Sequence, residues 1–251
     1  ICKIVGAGIW DGGGQSLAIS KPSITIDGLG STVQFKDLWF SVRTSQVIVR
    51  GLRVRTGDLN VLGADADAIS INGGSSGIDH IVVDRCEAIW APDVAGITVL
   101  NNASDVTVQH SIVGVGLTKS SHPESLDDID GHNLAMNISG LSASSYPKRV
   151  TVCRNLILNA QGRNPRIQGA VAVDVINNVI YNYDEGPQGN PRSANVVNNH
   201  LRWGPAPQAA GLGSPTRDLW RPVTSSDFPS LFQSAVYEAG NLADGFTGTR
   251  G

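Results

Sequence analysis

Six short segments of this chain repeat one pattern, an alternating run of apolar residues closed by a polar bend: Val47-Ile-Val-Arg-Gly-Leu52, Ile81-Val-Val-Asp-Arg-Cys86, Val106-Thr-Val-Gln-His-Ser111, Val150-Thr-Val-Cys-Arg-Asn155, Val173-Asp-Val-Ile-Asn-Asn178 and Ala194-Asn-Val-Val-Asn-Asn199. Alternation with a period of two buries every second side chain and is the mark of a short strand. The last residues of successive segments lie 34, 25, 44, 23 and 21 positions apart. Such spacing belongs to solenoids, whose repeats run to about 20–50 residues. A β-sandwich would place turns every 8–12 residues or so. The two long intervals predict insertions between rungs.

A second series of strands, Ala68-Ile-Ser-Ile71, Ile97-Thr-Val-Leu100 and Leu134-Ala-Met-Asn-Ile138, falls between the first. Two or three strands per repeat suit a coil with parallel faces, an all-β parallel β-helix. Asn155, Asn178 and Asn199 hold equivalent places in three successive segments. Stacked there, their amides can bond to one another and to the backbone of the bend, satisfying polar groups that the bend buries. Near the start, Ile24-Thr-Ile26 reads as an early rung and Gly12-Gly13-Gly14 as a turn. From Gly204 the pattern lapses into a stretch punctuated by Pro205, Pro207, Pro215, Pro222 and Pro229. One domain over 1–251 is expected, with the coil over about 1–203 and an irregular tail packing on it.

Composition agrees, since 29 glycines, a single Met and only 16% charged residues among 251 describe strand and turn chemistry rather than helix. A formal charge of −3 offers no general basic field, which argues against a nucleic-acid partner and means that an acidic ligand needs locally placed cations. Three cysteines, Cys2, Cys86 and Cys153, cannot form a disulfide framework, and their odd number leaves a free thiol. No apolar run approaches the roughly 18 residues of a membrane span. A chain opening at Ile1 rather than Met is expected to be a processed or trimmed form.

Four blocks, in this order, carry a resemblance: Asp67-Ala-Ile-Ser-Ile71; Val82-Val-Asp-Arg-Cys86 with Trp90 and Asp93; Ser104-Asp-Val-Thr-Val-Gln109; and Arg163-Asn-Pro-Arg166 with Val173-Asp-Val-Ile-Asn-Asn-Val-Ile-Tyr181. Together they resemble the pectate lyase family of polysaccharide lyases over nearly half the chain. The resemblance implies a right-handed coil, a secreted monomer, and an acidic polysaccharide as partner, with neither nucleic acid nor membrane. It also implies β-elimination on a polyuronate, in which a base removes the C5 proton beside a carboxylate and the glycosidic oxygen leaves C4. That proton is weakly acidic, so the family recruits Ca2+ to stabilise the developing negative charge.

By the same resemblance Asp84 and Asp93 are the expected metal ligands, oxygen donors of the kind calcium requires. A third carboxylate is expected four residues beyond Asp93, where this chain has Ile97, or Thr98 if one residue is inserted. Arg163 corresponds to the base and Arg166 to a clamp on a substrate carboxylate. Pro165 is expected to hold Asn164 extended and so to set how the two guanidinium groups emerge. Gln168 stands where the family usually has another arginine, and Arg85 where it commonly has a histidine. Lys119, His122 and His132 fall in the region that supplies an assisting lysine, with Lys119 and His132 the expected substrate contacts.

Two other readings compete. Asp127-Asp128 followed by Gly131-His132 looks like a polygalacturonase signature, but its elements should sit on successive rungs rather than three residues apart. A non-catalytic carbohydrate-binding or decayed β-helix is motivated by the missing carboxylate and by Gln168.

Overall fold

The computed structural model describes residues 1–60, 66–92, 96–123, 125, 132–205, 220–222 and 235–244. Each repeat contributes one strand to each of three faces, and like strands stack in parallel. Among the described residues a first sheet of nine strands runs from Cys2–Lys3 to Ala235–Ala239. The six segments read from the sequence supply its strands Val47–Arg50, Ile78–Asp84, Ala103–Gln109, Lys148–Cys153, Val171–Ile176 and Ser193–Val197. A second sheet begins with Arg53–Arg55, Glu87–Ile89 and Ile112–Gly114. The third contains Ile69–Asn72, Ile97–Leu100, Met136–Ser139, Arg166–Gln168 and Gln188–Asn190. The long strand Thr32–Val42 joins the last two, pairing with Arg53–Arg55 through Gln34 to Lys36 and with Ile69–Asn72 through Phe40 to Val42. The fold is a right-handed parallel β-helix.

Alternation explains the core. Val49, Val83, Val108, Val152, Val175 and Val196 point inward from the first sheet, and Ile71, Val99, Ile138 and Ile167 meet them from the third, all of them buried. In-register stacking sets like side chains of successive rungs against one another, since each rung presents nearly the same shape to the next.

From the Val47–Arg50 rung onward, the chain turns between the first and second sheets in only two residues. The first of each pair takes a left-handed conformation, with φ between 50° and 68° at Gly51, Arg85, His110, Arg154, Asn177, Asn198 and Gly240. The second points inward. The expected asparagine ladder forms there and is longer than its three predicted members. Asn155 donates to Val108 O at 2.9 Å and to Asn178 Oδ1 at 3.1 Å, and the same pattern passes from Asn178 to Asn199 and from Asn199 to Asn241. Ser111 caps one end by donating its backbone N–H to Asn155 Oδ1 at 2.9 Å. Cys86 occupies the corresponding corner one rung earlier, and burial pushes its thiol up to about 12, as befits packing rather than reactivity.

Both ends differ from expectation. Gly12-Gly13-Gly14 is not a free turn but an irregularity inside a 13-residue strand, Ala7–Ile19, whose register against Thr32–Val42 shifts between Asp11 and Gln15. Strands Arg221–Pro222, Ala235–Ala239 and Leu242–Asp244 add to the third, first and second sheets, so the coil continues past residue 203. The rung Ala235-Val-Tyr-Glu-Ala-Gly-Asn241 carries the repeat with Glu238 in a usually apolar place, which hid it in the sequence.

Candidate functional site

The third sheet has the most structured outer face. Ser41, Ser70, Thr98, Asn137, Arg166 and Gln188 are register partners on consecutive strands and form one polar column. A second column runs Asn72, Leu100, Ser139, Gln168 and Asn190. Although they point away from the core, Thr98, Asn137, Gln168 and Gln188 are all buried, so this face is the floor of a cleft rather than an open surface. One wall is the Gly140 to Pro147 connection. Its Tyr146 ring lies over Gly169, where a Cβ would come within 2.2 Å of the ring and φ is +62°, so only glycine fits.

A cavity of about 650 Å³ lies over part of the floor, lined by Trp39, Arg43, Asp67, Ser70, Thr98 and Asn137 among others. Asp67 is buried at its edge, and its Oδ2 accepts a hydrogen bond from Thr98 Oγ1 at 2.6 Å. Thr98 Oγ1 also lies 3.0 Å from Ser70 Oγ. Asn137 donates through Nδ2 to Ser139 Oγ at 3.2 Å, while its buried Oδ1 has no partner among the described residues. An orphaned buried acceptor is costly, and its natural complement is a donor on a ligand.

Arg163 sits on the connection leading into the Arg166–Gln168 strand, with φ 58° and its carbonyl accepting from Met136 N at 2.8 Å. Asn164 fixes that connection from within: it is fully buried, donating to Ala160 O at 3.2 Å and to Glu185 O at 2.8 Å. The Asn164–Pro165 peptide is cis. Arg163 and Arg166 are thus brought to one side of the coil, beside Asn137.

Asp84 is not. It ends a strand of the first sheet, in register with Arg50 and Gln109, whereas Arg166 belongs to the third. Its Oδ1 receives Gln109 Nε2 at 3.1 Å and lies 3.1 Å from His110 Nδ1, and its Oδ2 is held by Arg85. Stacking brings together residues in like places on successive rungs, and Asp84 and Arg166 hold unlike places. Arg85 is an exposed corner cation paired to Asp84.

Asp93 lies outside the described residues, as do Asp127 and Asp128. Ile97 points into the core and Thr98 outward, so a hydroxyl occupies the outer place where the resemblance expects a carboxylate. His132 is buried, its ring stacked on that of His122 at 5.4 Å and 15°. Lys119 is exposed on the connection preceding Met136–Ser139. Gln168 is buried in the second column.

Asp67 opens the first block of the resemblance without an assigned role, and Ser70 and Asn137 carry no motif of their own. The available signal was alternation: with Ile69 and Ile71 inward, Ser70 must face out.

The chain is similar to proteins called probable pectate lyase C from Aspergillus terreus, 30% identical over 189 residues, and from Emericella nidulans, 32% identical over 164 residues. The chain is pectate-lyase-like. These matches cover 72% and 64% of this chain but only 38% and 32% of the relatives' lengths. No family model matches. Among solved structures, a thermostable pectate lyase aligns over 91% of this chain and 56% of its own with a TM-score of 0.58 and 16% identity. A pectate lyase studied for its substrate specificity and anti β-elimination mechanism aligns over 93% and 59% with a TM-score of 0.57 and 18% identity. At those identities the likeness concerns the fold.

Proposed function

We propose that this chain carries the cleaving face of a lyase that acts on a polyuronate such as pectate, outside the cell and as a monomer. The observation that carries the reading is the column Ser70, Thr98, Asn137, Arg166 and Gln188 on the floor of one cleft, with Arg163 on the adjoining connection. The pectate-lyase likeness of the relatives supports it.

In this reading Arg166 pairs with the carboxylate of the reacting sugar through charge-assisted hydrogen bonds and so fixes the ring. Arg163 in its neutral form removes the C5 proton. The C5–H electron pair becomes the C4–C5 double bond as the C4–O bond breaks, and the departing oxygen takes a proton from water. A guanidinium is ordinarily locked in its charged form, so turnover rises toward alkaline pH.

Calcium, expected from the resemblance, would act as a Lewis acid on the sugar carboxylate. Asp84 is committed to Arg85, Gln109 and His110 at the first corner. On the cleft floor the described residues offer Asp67, the hydroxyls of Thr98 and Ser70, and Asn137 Oδ1. A single carboxylate falls short of the six to eight oxygens or so that the ion takes, and no step is routed through it.

The test is incubation with polygalacturonate at alkaline pH, with calcium or with chelator, following the ultraviolet absorbance of unsaturated uronides. New absorbance supports elimination, reducing ends without it mean hydrolysis, and a response to chelator returns calcium to the mechanism. A second reading, a binding module without turnover, is favoured by Thr98 standing where a carboxylate is expected. It requires oligouronide binding with no new absorbance.

A further inference from the structure

The corner between the first and second sheets faces away from the third sheet and its cleft, and it carries a run of cations. Its left-handed positions are held on consecutive rungs by Arg85, His110, Arg154, Asn177 and Asn198, each donating its backbone N–H to a carbonyl of the next rung. All five are exposed, and the residue that follows each is buried. The counter-charges lie beneath them. The Asp84 side chain is only 9% exposed, against 56% for Arg85 and 34% for His110, and it serves both. Glu87 likewise serves both Arg53 and Arg55. Arg154 makes no ion pair among the described residues. Two carboxylates therefore stand against four arginines and a histidine, and the outer surface of this corner is positive in a chain whose net charge is −3. A cavity of about 220 Å³ opens beside the run, lined by Arg53, Arg85, Glu87, His110, Ile112 and the bend from Gly28 to Ser31. It is smaller than the 300 Å³ or so of an enclosing ligand pocket, so it seats part of a ligand whose remainder lies on the surface.

We propose that this corner is a holding site for an acidic polysaccharide chain, remote from the cleft and without a part in cleavage. Arg85 and Arg154 lie two rungs apart, about 10 Å, with His110 between them. A polyuronate carries one carboxylate per sugar, and a sugar in an extended chain is close to one rung in length. A chain lying along the corner therefore offers a carboxylate to each cation. Asn177 and Asn198 prolong the run with amides able to bond ring hydroxyls. Single-stranded nucleic acid is the other extended polyanion, but its sites combine cations with aromatic platforms, and no Phe, Tyr or Trp lines the cavity or stands in the run. The choice of polymer rests on the reading of the cleft as a polyuronate site. With the cleft on one side and this corner on the other, the protein grips a network of chains while it acts on one of them. Each exposed contact is weak by itself, so a polymer that offers many stretches to the corner is held, and short oligomers report the cleft.

The experiment is affinity electrophoresis of the whole chain through gels containing polygalacturonate or dextran, in an Arg163→Lys background so that the polymer stays uncut. Arg154 is the residue varied, since it has no ion pair among the described residues to lose. Measured against the dextran gel, Arg154→Glu should weaken retention by polygalacturonate about tenfold and Arg154→Gln about threefold, whereas Arg154→Lys should keep most of it. Added salt should bring the protein that retains Arg154 toward Arg154→Glu. Calorimetric affinity for trigalacturonate, drawn to the cleft, should be the same in all four. Retention unchanged in Arg154→Glu overturns the holding site, as does equal weakening of trimer and polymer binding. Displacement by oligodeoxythymidine as effective as by polygalacturonate at equal charge also overturns it, and assigns the corner to nucleic acid. Retention that depends on Arg154, in a chain whose wild type generates no uronide absorbance, defeats the lyase reading and leaves the holding site standing. Absorbance from wild type without any retention by the polymer gel does the reverse.

Discussion

At the corner between the first and second sheets, Asn155, Asn178, Asn199 and Asn241 have both amide atoms engaged with neighbouring rungs. On the outer face of the third sheet Asn137, also buried, leaves its carbonyl oxygen without a partner among the described residues. The same residue type in the same kind of coil is closed upon itself in one place and open in the other. Repetition satisfies the corner, because each rung supplies what the next requires. On the third sheet the column changes identity at every rung, from Ser70 to Thr98 to Asn137 to Arg166, and no neighbour completes Asn137. Buried polar groups that complete one another stabilise the fold, while those left incomplete mark where a ligand completes them.

Four experiments would break or sharpen this contrast. The largest effect is expected from Arg163→Lys, which keeps charge but alters geometry and basicity. Uronide formation should fall about 100-fold or more with the circular dichroism spectrum unchanged. Substantial retained activity would remove Arg163 from the role of base.

Next, Asn178→Leu should destabilise the coil by about 3 kcal/mol in denaturant unfolding, since Asn155 N, Val152 O and the amide of Asn199 each lose a buried partner. Activity per folded molecule should be unchanged, because the ladder does not border the cleft. A loss of activity without a loss of stability would erase the division between closed and open regions.

Asp67 and Asp84, both buried, provide a paired test of moderate size. Asp67→Asn should weaken oligouronide binding about tenfold, whereas Asp84→Asn should alter it less than about twofold while lowering stability. If Asp84→Asn instead abolished a calcium response, the corner cluster would have to be reconsidered as a metal site.

The smallest effect concerns acid. Arg50 beside Asp27, and the backbone N–H of Leu29, hold the Asp27 carboxyl below its ordinary value, and Arg149 does the same for Asp105. A depressed carboxylate contributes stability that is fully present above its unfolded pKa, about 3.9, and is lost as pH falls through the lower folded value. Melting temperature should therefore drop below about pH 4. Asp27→Asn should show a slightly flatter decline than wild type, and an identical one would show that the pair contributes nothing measurable.

Much of the coil was legible because alternation and spacing are local properties. The six first-sheet segments, the inward valines and three ladder asparagines follow from period and bend alone. Arg163 and Arg166 were legible as a motif, and the structure sets Arg166 in register with Asn137 and Arg163 on the connection just before it. Asp84 was misplaced for an instructive reason: its number lies close to those of the third-sheet strands, yet a three-sided coil sends residues a few positions apart onto different faces. Asn241 was missed because Glu238 interrupts the apolar pattern, and Asn137 because its sequence gives no sign of whether its oxygen finds a donor.

The sequence by itself determined that rungs form and stack, since a strand with one apolar face must bury it and a repeat of such strands can do so only against its own copies. Only the tertiary structure decided which residues share a rung-to-rung column. Register across strands about 20 to 45 residues apart depends on how many residues each connection absorbs, which no local pattern encodes. That count is what puts Asp67, Asn137 and Arg166 over one floor and leaves Asp84 at a corner.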